Sequence, residues 1–328
     1  MAVVFLHAAA WSWYQVPVDS MEWQILNLMD GAVRFGVPVF FMVSGAMFLD
    51  PARNITLRLI LKKYLPRIVI PYFAWSALYA GLTTYSPAGD HSFLGFLQRT
   101  IVGHYHLWFL IALAGLYLAT PLLRASTKDR ALGWYFVILA FFFATVLPLF
   151  AQVPFIGSTI TEILEKAQFQ LPLGYSIFFI LGHLLHTAHI SIRVRYVLLL
   201  AGAVGIIATV LGSSLLSLAQ GSGNGRLYDN LTPNVLAVAV AVFVVVKPRP
   251  DAGPQNRTAL PLRLLGTYSF GIYLVHPMFQ TLYQQWGFSA LSTTPVLGVP
   301  LLTCAILFPS LAVTALLRRI PRAGTYLT

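Results

Sequence analysis

The stretch HLWFLIALAGLYLATPLL, residues 106–123, decides the fold. Behind its first histidine it carries no ionisable side chain apart from one tyrosine, and it shows no alternation of polar and apolar positions. A continuous apolar run of this length suits a helix, which needs about 20 residues to cross a hydrocarbon core; membrane strands alternate over about 10 residues. Working outward, ten such segments can be marked, at about 1–16, 35–49, 68–85, 101–121, 131–152, 172–187, 196–213, 231–246, 264–283 and 296–317. Several fall short of a full span, so they are expected to extend into their neighbours or to run tilted or broken. The 328 residues are 58% hydrophobic with a mean hydropathy of +0.75, and only 9% are charged, against roughly 25% in a soluble domain. So few charges cannot cover a water-facing surface, which makes a soluble enzyme, a disordered segment or a nucleic-acid-binding module a poor description. The expected fold is an all-α polytopic transmembrane bundle of about ten spans, forming a single membrane-embedded domain over residues 1–328.

Charge orients the bundle. One set of loops holds Arg53, Arg58, Lys62, Lys63 and Arg67, then Arg124, Lys128 and Arg130, then Arg193 and Arg195, then Lys247, Arg249, Arg257 and Arg263, then Arg318, Arg319 and Arg322. The other side has only Arg34, Arg99, Lys166 and Arg226, so 17 of the 21 Lys and Arg share one side. The positive-inside rule makes that side cytoplasmic, and with ten spans both termini lie there. The outer connections are then 17–34, 86–100, 151–171, 212–230 and 286–295, none long enough for a folded domain. Within them TITEILEKAQF, residues 159–169, is expected as an amphipathic helix lying on the outer surface. GSGNG at 221–225 reads as a flexible turn, and KPRPDAGPQNR at 247–257 as a Pro-rich cytoplasmic linker. The single cysteine, Cys304, excludes an intrachain disulfide and a multi-cysteine metal site. No cleavable signal peptide is visible, and no internal repeat.

Ionisable residues inside hydrocarbon each need a reason. His7, in VVFLHAAAW, can serve as a general base or can hydrogen-bond a neighbouring helix, and the residues alone leave both readings open. His104 and His106 open the fourth span beside Tyr105 and Trp108, where an interfacial aromatic belt accounts for the aromatics. Spacing of i, i+2 does not put both histidines on one helix face. His183 and His186, followed by His189, read better as interfacial than as metal ligands, because no carboxylate or cysteine is close in sequence. His276 can fill the backbone gap opened by Pro277. Lys62, Lys63 and Arg67 are either an anion site for phosphates or positive-inside charge. Arg34 can snorkel, pair with Asp30 at i−4, or face a substrate cavity. Ser44 and Gly45 form a small pair that allows close approach of a helix or a ligand.

Taken together, these segments resemble the membrane acyltransferase 3 family, bacterial integral-membrane proteins that acylate sugars of surface polysaccharides and related acceptors. Five signatures occur in the family's order: His7 in the first span, PVFFMVSGAMF at 38–48, KKYLPRIVIPYFAW at 62–75, HLWFLIALAGLYLATPLL at 106–123 and YSFGIYLVHPMF at 268–279. Each is mostly apolar and weakly specific alone; five in order over nearly the whole chain are specific. The family pattern also has an arginine eleven residues before the first-span histidine. That position falls before Met1, so the expectation is a start lying further upstream or a member without that arginine.

The resemblance implies transfer of an acyl group, most often acetyl from acetyl-CoA, to a hydroxyl of a sugar or lipid-linked glycan. Acetyl-CoA is then a donor substrate, with no bound cofactor or metal, and the location is the bacterial inner membrane. On this reading His7 is the catalytic base, and Lys62, Lys63 and Arg67 meet the phosphates of acyl-CoA. Ser44, Arg34, Trp108 and His276 are candidate pocket residues, with Ser44 also a candidate donor to the oxyanion. A secondary transporter or flippase for a glycan intermediate fits the composition and span number equally well, and a non-catalytic membrane scaffold is a further rival.

Overall fold

A computed structural model describes residues 1–151, 153–247, 260–321 and 323–328. Arg249, Arg257, Arg322 and most of the 247–257 linker therefore lie outside the described residues. The described chain is helical, without strands. The helices are α1 (Ala2–Trp13), α2 (Met21–Gly31), α3 (Gly36–Phe48), α4 (Pro66–Thr84), α5 (Phe93–Val102), α6 (Trp108–Thr127) and α7 (Arg130–Ala140). They continue with α8 (Gly157–Ala167), α9 (Ser176–Thr187), α10 (Ile192–Gln220), α11 (Pro233–Val246), α12 (Leu260–Gln285), α13 (Pro295–Leu317) and α14 (Ala323–Leu327). Among the described residues six segments are long and apolar enough to cross a membrane: Met21–Phe48, Trp108–Thr127, Arg130–Phe150, Ile192–Gln220, Arg226–Val246 and Pro295–Leu317. Helices dominate because hydrocarbon offers backbone N–H and C=O groups no partner other than the chain itself.

The centre of the bundle is α9. Every residue from Ser176 to Leu185 is buried, as expected of a helix that is apolar all round and enclosed by protein rather than lipid. That explains a segment too short to span. It lies directly against α3: a Cβ added at Gly45 would sit 1.8 Å from the Phe179 carbonyl oxygen, and one at Gly182 2.1 Å from the Met42 carbonyl oxygen. The small position anticipated at Ser44–Gly45 is thus occupied by a helix backbone. Around this pair, α10 packs with α11, α12 with α13, and α4 with α5, while α1 lies between α2 and α13.

Several basic residues of the loops that charge assigns to one side cap helix ends. Arg124 donates to the carbonyls of Phe48 (2.8 Å), Asp50 (3.0 Å) and Arg53 (3.0 Å). Arg195 donates to Val244 (2.5 Å), and Lys247 to Leu185 (2.8 Å) and Ala188 (2.5 Å). The last carbonyls of α3, α11 and α9 have no acceptor site filled within their own helices, and cations there also complement the helix dipoles. These contacts bring the 50–53 loop to Arg124, and the 185–195 and 244–247 loops to each other, as the charge alternation requires.

Two connections hold more structure than the sequence reading gave them. The 17–34 connection contains α2, with Trp23, Leu26 and Asn27 fully buried and Asp30 1% exposed. Its polar residues lowered the hydropathy, yet Asn27 and Asp30 have internal partners. Asn27 Nδ2 donates to the Val210 carbonyl at 2.9 Å, the Tyr228 hydroxyl donates to Asn27 Oδ1, and Arg34 pairs with Asp30. Of the roles open to Arg34, the ion pair is the one observed. The 86–100 connection runs into α5, where Arg99 grips Asp90 at 2.9 and 3.0 Å; that grip holds the exposed Asp90 carboxyl below the usual carboxylate range. The expected span from residue 101 instead begins at Trp108. Gly103 breaks the chain with φ +83°, and a Cβ there would lie 2.6 Å from the Tyr72 hydroxyl. The amphipathic helix expected at 159–169 is present as α8.

The α3–α9 contact predicts the effect of one substitution. Gly45→Val must force the two helices apart, whereas Gly81→Ala, with Phe96 at 3.9 Å, meets only an ordinary contact. Overpacking of this kind costs about 1–3 kcal/mol or more. Thermal denaturation in detergent should show a lower midpoint for Gly45→Val and none for Gly81→Ala; equal midpoints would mean that the two helices do not need their close approach.

Candidate active site

Histidines from three distant parts of the chain meet beside α1. His7 Nδ1 lies 3.0 Å from His276 Nε2, across 269 residues of sequence. The Tyr105 hydroxyl is 3.4 Å from the same His7 nitrogen. Gln280, one turn beyond His276 on α12, donates from Nε2 to the His7 carbonyl at 3.0 Å. His106 is 3% exposed; its ring stands 5.6 Å from that of His276, and its Nδ1 is 2.9 Å from Nδ1 of His104. Tyr79 stacks on His104 at 4.3 Å, and its hydroxyl donates to the Leu274 carbonyl at 2.8 Å. The Tyr273 hydroxyl donates to the His106 carbonyl.

The fourth span was expected to run as a helix through residues 104–107, whereas that segment is non-helical and brings the two rings together. The i, i+2 geometry of a helix therefore does not apply to His104 and His106. Among the described residues no group of three or more His, Cys, Asp or Glu is arranged to hold a metal ion. Of the other trio, His183 is buried in α9 while His186 and His189 are exposed.

The hydrogen bonds fix which nitrogen of His7 is free. His276 Nδ1 lies 2.7 Å from the Tyr273 carbonyl oxygen. A carbonyl only accepts, so Nδ1 must carry the hydrogen. In a neutral ring His276 Nε2 is then an acceptor, and His7 Nδ1 must donate to it. His7 Nε2 is left with a lone pair and makes no hydrogen bond among the described residues. Near it, His106 Nε2 and Gln280 Oε1 are buried without partners. Buried polar atoms are nearly always satisfied, so unpartnered ones around an exposed lone pair are suited to a polar ligand.

Other candidates occupy different places. Lys62 and Lys63 are exposed, within a π-helical turn at Ile60–Tyr64. Arg67, just beyond it, lines a cleft of about 300 Å³ together with Phe270, Arg318, Gly324 and Thr328. Phe270 also lines a neighbouring apolar slot of about 120 Å³, bounded by Gly36, Phe40, Phe109 and Tyr273. Tyr273 is one turn before His276, so the slot runs from the basic cleft toward the histidines. Arg318 was not singled out in the sequence, where it is one of three basic residues after a final span. Arg34 stacks on Tyr228 with its guanidinium 4.1 Å from the ring centroid. Trp108 contacts Tyr175 at 5.4 Å. Ser44 faces Tyr117, which stacks on Phe48 at 4.0 Å. No hydrogen bond among the described residues joins Ser44 to the histidines.

An all-helical membrane bundle with a histidine pair at its polar centre defines a class in which proton transfer inside the bilayer is feasible. The family comparison is specific. A model described as an acyltransferase domain matches residues 1–319, and the chain belongs to the acyltransferase 3 family. No curated protein and no solved structure matches it.

The tautomer chain is directly measurable. In reconstituted protein with ¹⁵N-labelled histidine, solid-state NMR should show His7 protonated at Nδ1 and unprotonated at Nε2. His276→Phe should release that preference, giving a mixture. A wild-type His7 already protonated at Nε2 would break the relay from the Tyr273 carbonyl.

Proposed function

We propose that this protein is a ten-span O-acyltransferase of a bacterial inner membrane, with both termini cytoplasmic. It would move an acetyl group from acetyl-CoA to a hydroxyl of a sugar or lipid-linked glycan. The observation that carries this reading is the free Nε2 of His7, held by His276 in a family defined by acyl transfer.

The mechanism follows from that nitrogen. The acceptor hydroxyl is a poor nucleophile until its proton leaves as the oxygen attacks the thioester carbon. His7 Nε2 takes that proton, and the charge formed on the ring is shared with His276 through the Nδ1 hydrogen bond. Collapse of the tetrahedral intermediate breaks the C–S bond, and the departing thiolate of coenzyme A recovers the proton. The Tyr105 hydroxyl, beside His7, is better situated than Ser44 to donate to the oxyanion. Arg67 and Arg318 would hold the donor's phosphates at the basic cleft, and the slot past Phe270 would take its pantetheine arm. Lys62 and Lys63 would add long-range attraction rather than direct contact.

A vesicle assay with labelled acetyl-CoA and a glycan acceptor tests the base. A general base contributes about 10²–10⁴-fold in rate. His7→Ala and His7→Gln should therefore be equally inactive, with acyl-CoA affinity retained; transfer preserved in the Gln variant removes His7 as the base. The donor site has its own test. Arg67→Gln and Arg318→Gln should each weaken acyl-CoA binding about tenfold or more, since a hydrogen bond to a charged group is worth about 1.5–3 kcal/mol. Lys62→Gln should change it far less, and a reversal of that order would return the donor site to the lysines. Topology is checked with Cys304→Ala as background: a cysteine at position 128 should resist outside labelling and one at 222 should accept it, and the opposite result would invert the ten-span arrangement.

A further inference from the structure

A second, wider cleft lies away from the basic cleft and the slot that leads to the histidines. It has a volume of about 1120 Å³ and lies between α6 and the second half of the Arg130–Phe150 segment, under the 170–176 and 226–232 connections. That exceeds the roughly 300–1,000 Å³ of ordinary small-ligand pockets. Along α6 it extends from Ala112 to Leu123, about 16 Å at 1.5 Å per residue. It is thus a furrow about half as deep as a hydrocarbon core of roughly 30 Å.

Its two ends differ in chemistry. The floor is apolar and kept open by small residues: Gly115, where an added Cβ would meet nothing within 4 Å, and Ala119. Leu122, 75% exposed, lies at the deep end and leaves the furrow open sideways to lipid. The mouth is polar, with Arg226, Asp229, Gln170 and Thr232. The Asp229 carboxylate is engaged by the Leu231 N–H at 2.7 Å. Among the described residues the guanidinium of Arg226 makes no hydrogen bond or ion pair. Between floor and mouth, Thr145 lines the cleft, is 1% exposed, and its hydroxyl has no partner. Thr145 sits on a π-helical turn, Phe141–Val146, a distortion frequent at functional sites.

The mouth also adjoins the histidine site. Arg226 and Tyr228 share one 3₁₀ turn, and the Tyr228 ring packs at 5.6 Å on Trp13 of α1, the helix that carries His7. On the other flank Tyr175, a cleft residue, contacts Trp108, two residues after His106.

We propose that this furrow seats the hydrocarbon chain of a lipid-linked acceptor, with its phosphate at Arg226 and its sugar directed across Tyr175 and Trp108 to His7. The proposal rests on the acyltransferase reading above and assigns the acceptor's lipid to a site of its own. An amphipathic ligand is required by the pairing of an unpaired cation at the mouth with an apolar floor open to the bilayer. Ordinary phospholipid would satisfy the floor but would have no sugar to present to His7.

The test uses the full chain in vesicles and a polyprenyl-phosphate sugar carrying a diazirine on its chain. Photolabelling should fall within residues 112–123 and 136–149 and persist against a tenfold excess of phosphatidylglycerol. Gly115→Leu, which fills open space, and Arg226→Gln should each reduce labelling about tenfold while acyl-CoA affinity, the check on folding, is retained. Labelling displaced equally by phosphatidylglycerol would make the furrow a bulk-lipid site and overturn the proposal, as would labelling unchanged in both variants. Because labelling needs no turnover, wild type that labels as expected but transfers no acyl group to any acceptor would sink the acyltransferase reading and leave the furrow's ligand standing. Transfer with equal KM for the lipid-linked acceptor in wild type and Gly115→Leu would do the reverse.

Discussion

The contact on which the rest of the structure depends is the backbone-to-backbone seating of α3 on α9. Gly45 and Gly182 are each pressed against a carbonyl of the other helix, at separations no side chain could occupy. Helices in lipid gain little from burying apolar surface, since the surroundings are equally apolar, so close packing and hydrogen bonds must hold them together. With α3 and α9 locked, a short central helix can be surrounded by others. Phe41 of α3 then stacks against Tyr175 at 5.0 Å and packs on Phe109 at 4.8 Å, which fixes the start of α6. That start carries the turn holding His104 and His106. The position of the histidine cluster is thus inherited from two glycines lying outside it.

The chemistry at that cluster depends on direction rather than on charge. A carbonyl can only accept, and the Tyr273 carbonyl therefore dictates a hydrogen-bond sequence through His276 to His7. In the familiar serine hydrolase arrangement a carboxylate orients the catalytic imidazole. In the mechanism we propose a second imidazole takes that place, which avoids putting a fixed negative charge in hydrocarbon, where it would be costly. The charged residues are kept apart from it: Asp30 is neutralised by Arg34, and Arg67 and Arg318 stand at the far end of the Phe270 slot.

Much of this was legible in the sequence, and the failures have physical causes. Continuous apolar runs identify helices, and the five motifs identify the family. The spacing of Asp30 and Arg34 gives their ion pair, because i, i+4 neighbours on one helical stretch need no tertiary information. His7 and His276 could each be singled out as ionisable residues in apolar surroundings, but nothing local says that 269 residues of chain close between them. His104 and His106 were not placed with His7 and His276 because a hydropathy run does not reveal where a helix begins; Gly103 was the available signal. The helix at 21–31 was hidden by Glu22, Asn27 and Asp30, of which Asn27 and Asp30 are satisfied inside the bundle. Among the basic residues, composition cannot separate Arg67, which lines a cleft with Arg318, from Lys62 and Lys63, which face outward.

Arg124 and Lys247 each close the last turn of a helix from a different hairpin, and Arg195 closes the last turn of α11, the helix that follows its own. The residues that select which side of the membrane a loop stays on are therefore also needed to finish a neighbour's helix. A hairpin inserted with the wrong polarity would carry its cation to the opposite surface and leave open carbonyls behind in its neighbour. Under the ten-span reading, orientation is thus checked twice, once by insertion acting on charge and again by assembly acting on unfilled acceptors. A chain with one reversed hairpin should fail to consolidate its core and become a substrate for membrane quality control.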